Sequence, residues 1–97
     1  MKISKAQQKE FLFILERENK KLDQIFSSIK IRKMEFSETL KFAEAYYKDM
    51  KYFSEKGEHV KAFELQNYVW GFLDALAISK AIIVPKELQK YFKADFS

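Results

Sequence analysis

The sequence predicts an all-α protein: an antiparallel three-helix bundle, running up, down and up, closed by a short C-terminal helix. Three observations predict it. Apolar residues recur at three- and four-residue steps through most of the chain. Glycine and proline number only two and one, too few for a turn-rich sheet. The expected connections are only a few residues long, which favours antiparallel neighbours. The chain has 97 residues, and two separate cores would leave each half near the size at which burial barely offsets chain entropy. A single domain over residues 1–97 is therefore expected.

The first helix is expected over about 4–33. At about 100° per residue, Phe11, Leu15, Leu22, Phe26 and Ile29 share one side, with Leu12 and Ile25 at its edges. Ser37 is the expected N-cap of a second helix, 38–56, whose inward stripe is Leu40, Ala43, Tyr46, Tyr47, Met50 and Phe53. Gly57 then supplies the positive-φ residue that ends a helix. The third helix is expected over 59–83, with Ala62, Leu65, Val69, Phe72, Leu73 and Leu76 facing one way and Pro85 enforcing its end. Its other side carries Val60, Phe63, Trp70, Ile78 and Ala81, interrupted by Asn67 and Asp74. A helix apolar on two sides should be buried on two sides. A short last helix, 86–92, offers Leu88, Tyr91 and Phe92 as the cover.

Composition narrows the chemistry. Cysteine is absent, which removes disulfides, thiol nucleophiles and cysteine-ligated metal sites. The one histidine, His59, has no partner at metal-binding spacing and is expected at a helix start in solvent. No glycine-rich phosphate loop is present, and the serines lack a nucleophile elbow. An enzyme, a cofactor and a metal site are accordingly not expected. The longest apolar runs, Phe11 to Leu15 and Ala75 to Ile78, are far shorter than the roughly 20 residues that cross a bilayer. The N-terminus lacks an apolar signal region, so no membrane partner and a cytoplasmic location are expected.

Charge and exposed apolar residues suggest where a partner sits. The net charge is +4, from 18 basic and 14 acidic side chains, with the excess in the first helix. On that helix's outer side Lys2, Lys9, Arg17 and Lys20 flank Phe13, with Ile31 further along. This is the expected contact face for a protein partner or a second copy in a homodimer. The same basic side is the alternative, nucleic-acid reading. Asp74 shares a side with Asn67 and Trp70 within an apolar run. It either lines a small polar pocket with Asn67 or accepts a hydrogen bond from a tyrosine or lysine of another helix. Tyr68 and Asp74 are expected to make a buried polar contact that fixes packing register. Gly57 turns the chain, and Ala62, Gly71 and Ala75 are small enough for close helix approach.

Two resemblances follow. Ala43-Glu44-Ala45-Tyr46-Tyr47, Tyr52-Phe53, Gly57-Glu58 and Ala62-Phe63 look like one tetratricopeptide helix pair, departing from it at Met50 and lacking a second copy. More specifically, Tyr46-Tyr47, Asp49, Lys56-Gly57-Glu58, Ala62 and Tyr68-Val69-Trp70-Gly71-Phe72-Leu73-Asp74-Ala75 resemble the archaeal family of short proteins known as domain of unknown function 357. That resemblance implies an archaeal, cytoplasmic, all-helical protein and lends no catalytic residues. The leading expectation is a non-enzymatic protein–protein interaction module, ahead of a nucleic-acid-associated protein and an enzyme with a pocket near Asp74.

Overall fold

The structure, a computed structural model, describes residues 3–96. Three helices dominate it: α1 (Lys5–Ser28), α2 (Ser37–Glu55) and α3 (His59–Ile78). Two short strands, β1 (Lys30–Ile31) and β2 (Ile82–Ile83), and a C-terminal 3-10 helix, Lys86–Tyr91, complete it. The fold is thus nearly all-α rather than purely so.

Helix α1 begins with a reciprocal cap: the Ser4 hydroxyl accepts from the Gln7 N–H at 3.1 Å, and the Gln7 side chain accepts from the Ser4 N–H at 2.9 Å. Two otherwise orphaned donors are satisfied together. The helix stops at Ser28, five residues short of the expected end, because Ile29 turns extended (φ −73°, ψ 152°). Lys30 and Ile31 then pair antiparallel with Ile83 and Ile82. The Arg32 and Lys33 N–H groups prolong this ribbon by donating to the Ala81 carbonyl, at 2.7 and 3.1 Å. Ser37 is the first residue of α2 and not its cap; a 3-10 turn, Met34–Phe36, leads the chain in, and no side chain caps the helix.

Helices α2 and α3 end by one hydrogen-bond pattern. Gly57 (φ +80°) follows α2, with its N–H donating to the Ser54 carbonyl at 3.1 Å and that of Glu58 to Phe53 at 2.9 Å. After α3 the left-handed position is held by Lys80 (φ +58°), with Lys80 N–H to Ala77 at 3.0 Å and Ala81 N–H to Leu76 at 2.9 Å. This double turn satisfies the last carbonyls of a helix and normally takes glycine. The third helix is therefore stopped at Ile78 by Lys80, not carried to residue 83 and cut by Pro85.

Phe11 meets Phe63 edge-on at 5.1 Å near one end, and β1 meets β2 at the other, so α1 and α3 run parallel. Tyr46 stacks on Phe72 at 5.5 Å while Lys61 lies 4.8 Å from the Phe53 ring, which sets α2 antiparallel to α3. The core between them holds Leu15, Leu22, Ile25, Met50, Val69, Leu73 and Leu76, all essentially fully buried. Each such side chain contributes about 1.5–3 kcal/mol relative to exposure. The C-terminal segment covers the Trp70 side of α3 through Phe92, whose ring meets Trp70 edge-on at 6.2 Å and Phe96 at 5.7 Å. The Gly71, Ala75 and Ile78 side of the same helix is left exposed.

Candidate interaction face

Asp74 fastens chain to chain rather than serving as a buried register pin. It is half-buried, and its Oδ1 accepts the Lys93 backbone N–H at 2.9 Å, anchoring the C-terminal segment to α3. Tyr68 does not reach it: that ring is 63% exposed and stacks against Tyr46 at 6.2 Å. Asn67 is exposed and donates to its own helix at the Phe63 carbonyl, 3.1 Å away. Asp74 and Asn67 do line one depression of about 380 Å³, together with Glu18, Trp70, Gly71, Tyr91 and Lys93. Its acids are held by neighbours, since Glu18 Oε2 takes Lys21 at 2.7 Å and Arg17 at 3.3 Å. His59 opens α3 half-buried with an enclosed, unpaired Nδ1, not in solvent.

The small residues divide. Ala62 is fully buried at the helix crossing and Gly57 makes its turn, as their types predict. Gly71 and Ala75 are exposed, and a Cβ added at Gly71 would meet nothing within 4 Å. No neighbouring helix of this molecule approaches there. The expected close-packing role of Gly71 and Ala75 within the bundle is therefore corrected.

The polar contacts that join the helices lie elsewhere, with Gln66 buried and Asp23 at the surface. The Tyr47 hydroxyl donates to Asp23 Oδ1 and lies 3.4 Å from the Asn19 carbonyl. Lys51 Nζ donates to the same carboxylate oxygen at 2.7 Å. The Tyr47 ring stacks on Phe26 at 4.8 Å, with the Lys51 ammonium 4.6 Å from its centroid. Gln66, only 2% exposed, donates to the Leu15 carbonyl at 3.3 Å and to Asn19 Oδ1 at 3.2 Å. Burial pushes the Tyr47 hydroxyl above its ordinary range, and the hydrogen bond to and charge of Asp23 add to that. Burial also raises the Asp23 carboxyl, but hydrogen bonds from Lys51 and Tyr47 and the Lys51 charge outweigh it and leave it below the usual range. Gln66 was legible as a polar residue at an inward position between Ala62 and Val69; the Asp23–Lys51 partnership carried no sequence signal.

The basic side of α1 is exposed over part of its length. Phe13 is 63% exposed, with Arg17 5.8 Å from its ring centroid, and Lys9 and Lys20 are exposed on the same helix. Lys2 lies outside the described residues. Ile31 does not belong to this face: it sits in β1, half-buried against the core.

A more continuous apolar surface lies on the outer side of the α2–α3 hairpin. Phe42 (59% exposed), Ala45 and Tyr46 come from α2, and Tyr68, Gly71, Phe72 and Ala75 from α3. Tyr46 bridges the helices by stacking on both Tyr68 and Phe72. Asn67, Tyr68, Gly71, Phe72 and Ala75 line a shallow groove of about 330 Å³, its floor open because Gly71 has no side chain. Asp49 and Glu64 are exposed one turn from the tyrosines. Rings and small residues on one helix pair, rimmed by Asp49 and Glu64 and by Glu38 and Lys41 beside Phe42, can seat another apolar element.

Such a molecule is a small three-helix protein in which Tyr47, Gln66 and Asp74 each join one element to another. Among the described residues no three His, Asp or Glu side chains are grouped to hold a metal, and no helix is long and apolar enough to cross a membrane. The chain belongs to the DUF357 family, described as a protein of unknown function, whose profile matches residues 11–82. That span covers most of α1, all of α2 and α3, and the first residue of β2. No curated protein and no solved structure matches the chain.

Proposed function

We propose that this protein is a non-enzymatic interaction module that seats an amphipathic helix of a protein partner on the outer α2–α3 face. The observation that carries the reading is Gly71. An interior helical glycine costs about 0.5–1 kcal/mol relative to alanine, and here no intramolecular contact requires it. A close external approach accounts for it. A partner helix with apolar residues at i, i+3 or i+4, and i+7 fits beside the Tyr68 and Phe72 rings, over Gly71 and Ala75. Basic residues flanking that stripe would meet Asp49 and Glu64.

The test is affinity capture with the wild-type protein and with Gly71→Leu, at low and high salt and with nuclease. A defined protein retained through both treatments and lost with Gly71→Leu supports the reading. Equal capture by the variant sinks it. A nuclease-sensitive, salt-labile catch that disappears on replacing Lys9, Arg17 and Lys20 would instead establish the nucleic-acid alternative, because counterion release drives such binding.

A further inference from the structure

We infer that the end of the bundle carrying the β1–β2 ribbon docks on an anionic lipid surface. The ribbon has two faces. Ile31 and Ile82 turn inward, whereas the opposed pair Lys30 and Ile83 turns outward, with Ile83 52% exposed. Close to it along the chain are Met34, 70% exposed, just after β1, and Ile78, 64% exposed, just before β2. These are three of the seven large hydrophobic side chains the described surface exposes, and all three are aliphatic.

Cations surround them. Lys30, Arg32, Lys33 and Lys80 are exposed at the same end, against two acids, Glu35 and Asp95, the latter on the segment that Lys80 touches. Their placement is built, not incidental: Lys33 Nζ donates to the Ser79 carbonyl at 2.8 Å and Lys80 Nζ to the Asp95 carbonyl at 3.0 Å. Both backbone N–H groups of Arg32 and Lys33 are tied to Ala81. The Lys33 and Lys80 ammonium groups are thus held beside the tip, and the backbone of Arg32 is tied to it.

Aliphatic points ringed by lysine and arginine match the two components of peripheral lipid binding, burial of apolar side chains at the acyl boundary and attraction to anionic headgroups. Three features favour lipid over other anions. Phosphate contacts alone would serve a nucleic acid, but they would leave Met34, Ile78 and Ile83 in water, with no ring among them to stack on a base. A peptide needs a groove, and the grooves described above open on the flanks of the bundle. Lysine stems can also lie along an apolar boundary while their heads stay in water. Lying on a membrane requires no spanning helix.

Flotation with vesicles of phosphatidylglycerol and phosphatidylcholine, compared with phosphatidylcholine alone, tests this. The protein should float with the anionic vesicles only, and less as salt rises from about 0.1 M toward 1 M. Met34→Glu and Ile83→Glu should each weaken binding by roughly tenfold, with unchanged circular dichroism. Met34→Trp should give a blue-shifted emission on anionic vesicles, reporting insertion. Failure to float, or flotation that the glutamate variants leave untouched, overturns the inference. So does competition by a single-stranded oligonucleotide with no emission shift, which would reassign the tip to nucleic acid. Gly71→Leu should float like wild type, so the lipid surface and the helix-docking face succeed or fail separately.

Discussion

Replacing Gly71 with alanine should stabilise the protein while weakening its grip on a helical partner. The magnitude follows from the site. Gly71 lies inside α3, and an added Cβ finds nothing within 4 Å, so the substitution introduces no clash. It is exposed, so burial adds little. What remains is the glycine-to-alanine difference in backbone freedom, about 0.5–1 kcal/mol in favour of alanine. For a domain of this size that corresponds to a Tm higher by roughly 2–5 °C. Thermal and urea melts followed by far-ultraviolet circular dichroism read it directly, and a lifted urea midpoint at constant slope would show that only stability changed. A lowered Tm would mean that Gly71 serves a contact inside the molecule, and the reasoning for an external helix would collapse. A raised Tm with undiminished partner affinity would locate the partner elsewhere.

Tyr47→Phe should cost about 1 kcal/mol, since it removes one hydrogen bond to Asp23 while Lys51 keeps that carboxylate paired. In urea melts between pH 7 and 12 the wild type should hold full stability below the ordinary tyrosine pKa of about 10 and lose it as pH climbs further. The phenylalanine variant should show a flatter profile. At the acid end, the depressed Asp23 carboxyl contributes stability above the ordinary carboxylate range that fades as pH falls through its lowered value. That contribution is modest because the Asp23 side chain is 56% exposed. Lys80→Gly should raise stability by up to about 1 kcal/mol by relieving the left-handed lysine, less whatever the Asp95 contact supplies; Lys80→Val should lower it in the same melts. Leu73→Ala, at a fully buried position, should cost about 2–5 kcal/mol.

The helices are legible because their apolar stripes repeat over several turns, and Gly57 and Pro85 mark the end of α2 and the start of the C-terminal 3-10 helix by residue type. The ends of α1 and α3 are not. Ile29 and Ile31 continue an apolar pattern that a helix and a short strand share at such length, so the pattern carries the expected helix through them. Ile82-Ile83-Val84 is β-branched in the same way. The stop before it is a lysine in a left-handed conformation, which no composition rule announces. Asp74 was correctly singled out as an interruption, but its partner is a backbone N–H nineteen residues away, a contact that only the C-terminal segment's path creates. Gly71 misled for a clearer reason. A small residue in a helix signals close approach, and the sequence cannot say whether the approaching body belongs to the same chain.

The β1–β2 ribbon has a kinetic consequence. Its two strands lie about fifty residues apart along the chain, and everything between them is the α2–α3 hairpin, whose own contacts are local. Closing so long a loop carries an entropic cost that two residue pairs do little to offset. The hairpin should therefore assemble first, and the ribbon should act as a clasp that shuts last. In the native protein the order reverses. The clasp can open while the helices stay zipped, so the amide protons of Arg32 and Lys33 should exchange with solvent well ahead of those in the middle of α3.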